Sequence, residues 1–332
     1  MVTLKDIAKA SGLSITQVSR ALNNHTDVSD DTKVKVNKIA TSMGYVKNMS
    51  AQRLAMQLSN QIAIVVKGIE KETELMEYNS VYPIVCGANK YANHNNYEIA
   101  MYIIPDDINS YVNYFQQKGI GKAILFGFEY NDKRFLELLE SQYICVCIDI
   151  PIEKENKGCV VTDNTLYATY AVEALIKSGK KTIAMINGKS QAIVSIERKA
   201  GYLAALSNYN LEHRQKYIFN GNFDRAKTEH LTLQIMKDYP DINGFFCASD
   251  YMAMGCMNAL QTIGKKIPQD VGIIGFDNIP ISKFIKPSLS TVSQNDFKKG
   301  YEAAKLLINI CENKATQKIT SLSCSLELRE SI

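Results

Sequence analysis

From Ile62 to Gly275, short apolar runs rich in β-branched residues alternate with helical stretches, the runs falling at 62–66, 99–104, 123–128, 144–148, 182–186, 244–248 and 271–275. Continuous apolar runs are strands buried on both faces. Strands that alternate with helices pair in parallel through crossovers, so the pattern calls for mostly parallel sheet covered on both sides. The span is long for one such sheet. Two similar α/β lobes are expected, dividing near Val160 and Val161 and exchanging chain again near Ser290 to Ser293, with a cleft between them. With 46% of 332 residues apolar, each lobe can fill a core.

The first sixty residues have a different character. They hold eight Lys and Arg (Lys5, Lys9, Arg20, Lys33, Lys35, Lys38, Lys47, Arg53) against four acids (Asp6, Asp27, Asp30, Asp31), which is the whole net charge of +4. The remainder is balanced at 30 basic and 30 acidic side chains. A basic head on a neutral body suits a polyanion, although an excess of this size is also compatible with an ordinary solvated surface.

Three short helices fit this head. Thr3 caps a first helix with Asp6 in its opening turn and Ile7, Ala8 and Leu13 as its apolar set, ended at Gly12. A second helix, from Ser14 to about Asn23, turns Val18, Ala21 and Leu22 one way and Thr16, Gln17 and Arg20 another. After a polar turn, Ser29 with Asp31 and Thr32 starts a third helix carried by Val36, Ile39, Ala40 and Met43 and stopped at Gly44. Two helices joined by a tight turn, with Thr16, Gln17 and Arg20 outward, can lay one helix in a major groove, where Arg pairs with guanine and Gln with adenine.

The stretch Val2-Thr3-Leu4-Lys5-Asp6-Ile7-Ala8-Lys9-Ala10-Ser11-Gly12-Leu13-Ser14, followed by Gln17-Val18-Ser19-Arg20-Ala21-Leu22-Asn23, resembles the DNA-binding head of the lactose/galactose repressor family of bacterial transcriptional regulators. The resemblance implies that Ile15, Thr16 and Arg20 face base edges, while Thr3, Ser19, Asn23, Ser29 and Thr32 hold phosphates. Residues Asn48 to Leu54 are similar to the family's hinge helix, whose residue at Leu54 wedges into the minor groove and kinks the duplex; Asn48 joins the DNA contacts. Lys47 stands where the family often has Pro.

The resemblance runs on through Asp163-Asn164, Arg198 to Tyr202, Ala248 to Ala253, Gly275 to Asn278 and Leu328 to Ser331, and implies an effector-binding core similar to periplasmic sugar-binding proteins. Asp149, Ser249 and Asp277 each follow an apolar run directly, and the carboxyl ends of parallel strands are where open α/β sheets bind ligands. Asp277 with Arg198 suits the hydroxyls of a polyol, and Phe223 offers a stacking face. The resemblance adds Gln294 as a contact at the lobe crossover. Plainer roles stand beside these: Arg198 pairing with Glu197, Phe223 as core, Asp250 as a helix cap. Ala192 occupies the place of an Arg expected in purine-binding relatives, and Lys67-Gly68-Ile69-Glu70-Lys71-Glu72 replaces the usual Asp and Asn-Pro signature of the first lobe.

Enzymatic readings fail on spacing. Gly188-Lys189-Ser190 resembles the tail of a phosphate loop, but Ile183 stands at its required upstream Gly. No nucleophile elbow is present, His25, His94, His213 and His230 are too dispersed for metal spacing, and the eight Cys suit cores in a reducing cytosol. No apolar run approaches a membrane span.

The expected fold is therefore a small all-α helix-turn-helix head on an α/β core of two similar parallel-sheet lobes, periplasmic-binding-protein-like. The expected domains are residues 1–46 for the head, 47–60 for the hinge, 61–161 with 291–320 for the first lobe, and 162–290 with 321–332 for the second. The expected activity is that of a cytoplasmic regulator, a repressor of carbohydrate-use genes. It needs no cofactor or metal, binds a palindromic double-stranded operator as a homodimer, and answers to a small effector, a sugar or sugar phosphate. The chain ends without a trailing leucine heptad, which favours the dimer. The alternatives are a non-sugar effector or protein corepressor, and a sugar-binding protein without DNA regulation.

Overall fold

The computed structural model describes residues 2–22, 27–43, 60–68, 80–211 and 215–332. The turn after the second helix, the hinge, and with them Asn23, Asn48 and Leu54 lie outside the described residues, as does the stretch 69–79.

In the head, α1 (Leu4–Ser11) begins where the Thr3 backbone N–H and hydroxyl both donate to Asp6 Oδ2, at 2.8 and 2.7 Å. It ends where Gly12, at φ +71°, donates its N–H to the Ala8 carbonyl. Helix α2 (Ile15–Leu22) opens with a reciprocal box: the Ser14 N–H and hydroxyl reach Gln17 Oε1, and the Gln17 N–H returns to Ser14 Oγ at 3.2 Å. Ser29 caps α3 (Asp30–Ser42), its hydroxyl accepting from the Thr32 N–H. Ile7, Ala8, Val18, Ala21, Val36 and Ala40 are buried together as one small core.

The body has two six-stranded sheets. The first uses β1 (Gln61–Val66), β2 (Glu98–Ile103), β3 (Lys122–Phe126), β4 (Ile144–Ile148) and β5 (Lys157–Thr162), connected by α4 (Val81–His94), α5 (Tyr111–Lys118) and α6 (Lys133–Glu140). The second uses β6 (Ile183–Asn187), β7 (Ile218–Asn220), β8 (Gly244–Cys247), β9 (Gly272–Asp277) and β10 (Ser290–Ser293), with α7 (Asn164–Lys177), α8 (Ile193–Asn208), α9 (Arg225–Asp238) and α10 (Asp250–Thr262). The chain then returns to the first lobe for α11 (Asp296–Cys311) and β11 (Ile319–Leu322) and ends in the second with β12 (Ser325–Glu327). The orders are β11-β5-β4-β3-β1-β2 and β12-β10-β9-β8-β6-β7. Every pairing is parallel except β10 with β12.

The crossing points differ by a few residues from those expected. β5 runs on to Thr162, and β10 pairs with β9, matching Val292 to Phe276, so the return to the first lobe falls at Gln294 rather than 291. β11 pairs with β5 as far as Leu322, two residues beyond the expected 320. Val292 is buried in the second core and Leu322 in the first, and it is this packing that sets where the chain changes lobe.

Strand order reverses at β1 in one sheet and at β6 in the other, and such switch points open a crevice beyond the strand ends. Helix α11 is held hard against α4: a Cβ at Gly300 would run into the Ile84 carbonyl oxygen, and one at Gly87 into that of Phe297. This close crossing brings the first turn of α11 to the mouth of the crevice.

Candidate functional site

A cavity of about 250 Å³ lies between the two sheets at the carboxyl ends of their strands. Every switch-point strand end contributes: Lys67 and Gly68 after β1, Gly127 and Phe128 after β3, Lys189 after β6, Ser249 after β8. All six sequence-predicted pocket residues (Asp149, Arg198, Phe223, Ser249, Asp277 and Gln294) line this one space.

A continuous polar chain crosses the cavity floor. The Lys299 ammonium, 1% exposed, donates to both Asp149 oxygens at 2.8 Å and to Gln294 Oε1 at 2.6 Å. An ammonium only donates, so Gln294 must turn its oxygen to Lys299 and its amide nitrogen to Asp277 Oδ1, 2.6 Å away. Arg198 stands 3.8 Å beyond that oxygen. Its guanidinium is fixed by the Asn164 oxygen (3.0 Å) and the Ala248 carbonyl (2.6 Å), and it stacks 3.8 Å from the centre of the Phe276 ring. Glu197 does not pair with it; the Asn164 amide takes Glu197 instead. Burial pushes the Asp277 carboxyl up to about 7, against the opposing pull of Arg198, and raises Asp296 as well.

Phe223 sits at φ +63°, a conformation rare for a bulky side chain, with its ring against the bare backbone of Gly188. Backbone strain of this kind is typical of ligand clamps. Ser249, not Asp250, caps α10, accepting from the Met252 N–H at 3.2 Å, and its hydroxyl hydrogen is left to donate. Asp250 is buried in the first turn and accepts from the Thr291 hydroxyl and the Ile279 N–H, which corrects its reading as a cap. Lys299 and Asp296 escaped the sequence reading, while Lys67 was noted only as a departure, Lys189 only in the failed phosphate-loop match and Tyr251 only within a matching stretch. Lys299 is in a run, Asp296-Phe297-Lys298-Lys299-Gly300, that looks like a solvated helix start.

In the head, Ile15, Thr16, Gln17 and Arg20 are exposed together on α2, with Ser19 half-buried. Ile15 keeps 44% of its surface exposed, as an apolar reader requires. Gln17 is tied back to Ser14, and Arg20 is paired with Asp27 at 2.5 Å, both side chains about half exposed. Such a pair is weakly held, so a guanine can compete for the guanidinium. Thr3, Ser29 and Thr32 lie at helix starts, where N–H groups and hydroxyls can meet phosphate.

Residues 3–48 match the bacterial regulatory proteins of the lacI family, and residues 172–332 match the periplasmic binding protein-like domain, together more than half of the chain. The chain thus carries a lacI-family helix-turn-helix domain and a periplasmic-binding-protein-like domain. The probable HTH-type transcriptional repressor ExuR of Bacillus subtilis (strain 168) is 29% identical over 317 residues, which is 96% of this chain and 94% of that protein. Among solved structures, a transcriptional regulator CelR–cellobiose complex shares the fold over the whole of both chains, with a TM-score of 0.77 and 24% identity. The lac repressor dimer bound to operator and the anti-inducer ONPF does so over 99% of this chain and 98% of that one, with a TM-score of 0.72 and 21% identity. The curated relatives it matches are named as transcriptional repressors and regulators, a role that is not enzymatic. Among the described residues no helix is long and apolar enough to cross a membrane.

Proposed function

We propose that this chain represses transcription in the cytoplasm by binding a near-palindromic operator as a homodimer, and that a small polyhydroxylated effector in the interlobe cavity sets its affinity for DNA. The observation that carries the effector half is the convergence of Asp149, Arg198, Phe223, Ser249, Asp277 and Gln294 on one cavity at the switch points of both sheets. The cellobiose in the CelR complex lends support to a sugar-type ligand. For the DNA half, the support is the exposed face of α2 within the lacI-family match, and the operator-bound lac repressor dimer as a precedent for the same fold. One recognition helix reads few base pairs, so specificity calls for two heads on half-sites about 34–36 Å apart. In this reading residues 1–46 form the DNA-binding domain, 47–60 a hinge with Leu54 as its wedge, and the two lobes the sensor.

Selection of bound duplexes from a random pool by the full chain tests the DNA half. The expected product is a site with dyad symmetry, and an asymmetric consensus would end the dimer reading. On the selected site Arg20→Ala should cost about 1–3 kcal/mol and relax preference at one base pair in each half. An equal loss on random duplex would make Arg20 a phosphate contact.

A further inference from the structure

The charges around the cavity are mostly spoken for. Asp149 and Asp296 share Lys299, and Asp277 has Arg198 and the Gln294 amide. Lys67 is different. It follows β1 at the switch point of the first sheet, is 9% exposed, and lines the cavity beside Gly68 and Gly127. Its nearest acid among the described residues is Asp132, 3.8 Å away, beyond hydrogen-bond reach. Asp132 is already saturated: Arg134 grips it through Nε and Nη2 at 2.8–3.2 Å, and the Tyr111 hydroxyl adds a bond of 2.8 Å. These bonds outweigh burial and hold the Asp132 carboxyl down at about 2. Among the described residues two cations thus share one carboxylate, and of the three side chains Lys67 is the one that lines the cavity. A buried ammonium without a close counter-ion is costly, and an incoming anion relieves that cost.

We propose that Lys67 forms an oxyanion subsite, so that the effector carries a carboxylate or phosphate group seated against the first lobe while its hydroxyls meet Arg198, Asp277 and Ser249 across the cleft. This rests on the effector reading above and names the ligand's chemical class. The exposed Asp106 and half-buried Glu129 on the same rim limit how much negative charge the subsite accepts, which favours a single charge over a dianion. Lys189, exposed on the second lobe, faces the same space and adds a mobile cation.

The test is calorimetric titration of the full chain with galacturonate, gluconate, glucose 6-phosphate, galactose and glucose, on the native protein and on Lys67→Gln and Lys67→Arg. The expected result is binding by at least one anionic probe, at least tenfold tighter than its neutral counterpart. Lys67→Gln should weaken that probe tenfold or more and leave the neutral sugars unchanged, and Lys67→Arg should retain most of the affinity, which separates charge from packing. Preference for the sugar acids identifies a carboxylate, and preference for glucose 6-phosphate a phosphate. A neutral sugar that binds as tightly as the acids, or an anion indifferent to Lys67→Gln, overturns the proposal while leaving the effector cavity standing. Silence from every probe overturns both.

Discussion

Lys299 is a buried cation whose three donor contacts determine how two pocket residues, Asp149 and Gln294, present themselves. It neutralises Asp149 and dictates which end of Gln294 meets Asp277. Lys299→Met keeps the volume but strands the Asp149 carboxylate next to Asp296, and losing one member of a buried pair typically costs about 3–5 kcal/mol. Urea unfolding of the full chain should show that loss, and adding Asp149→Asn should recover more than half of it; purely additive costs would mean the pair is not coupled. Asp277 gives a second test, because its carboxyl is pushed up to about 7 by burial and sits among Arg198, Gln294, Lys299 and Asp296. Between about pH 4 and 7 the folded chain holds a proton there that the unfolded chain has released, so this group's contribution to stability is full below pH 4. It is lost as pH rises to 7, at up to about 1.4 kcal/mol per pH unit. The stability difference between the native protein and Asp277→Asn should therefore shift in the variant's favour from pH 4.5 to 7 and stay flat above. A difference independent of pH would show Asp277 to be ionised throughout. Asp149 and Asp277 were legible in the sequence because a polar residue ending an apolar run marks a strand's carboxyl end. Lys299 and Lys67 were not legible, because a lysine near a helix start or a strand end ordinarily reaches solvent, and only the crossing of distant elements buries these two.

At the level of elements, what the sequence made readable was whatever buried a continuous stripe. The strands β1, β4, β6 and β8 are buried along most or all of their length and announced themselves as apolar runs. β7, β10, β11 and β12 have only three or four residues each, and their ladder partners are set by tertiary pairing rather than by local pattern, so they passed as loop or boundary. The helix-turn-helix was legible for the opposite reason: its caps at Thr3, Ser14 and Ser29 and its stop at Gly12 are local signals that need no distant partner. The α4–α11 crossing belongs with the short strands set by tertiary pairing, invisible in either helix alone. Gly300→Ala forces the two backbones apart, and overpacking of this sort costs typically about 1–3 kcal/mol. Thermal unfolding should fall by several degrees, and because the shift moves the first turn of α11, effector affinity should fall with it. Unchanged stability would mean that the two helices can separate freely.

For the molecule as a whole, the chain passes between the lobes three times, after β5, after β10 and after β11, and the Lys299–Gln294–Asp277 chain straddles the same seam. Three tethers allow the lobes to rotate as units but hardly to separate, so ligand contacts made to both lobes act on a single opening coordinate. If that coordinate sets operator affinity, the two binding events are linked and the linkage is reciprocal: whatever factor the effector imposes on operator affinity, the operator must impose on effector affinity, with couplings typically of about 1–3 kcal/mol, or about 5–150-fold. The effector should therefore be titrated into the full chain with and without the selected duplex, and the duplex with and without effector. Equal factors are expected, below one for an inducer and above one for a corepressor. A duplex that weakens under effector while effector affinity ignores the duplex would place the ligand's action outside this cavity, because a closed thermodynamic cycle permits no such asymmetry at one site. The same cycle on Lys299→Met should give a factor nearer to one, since a seam without its central cation transmits less of the difference between open and closed lobes.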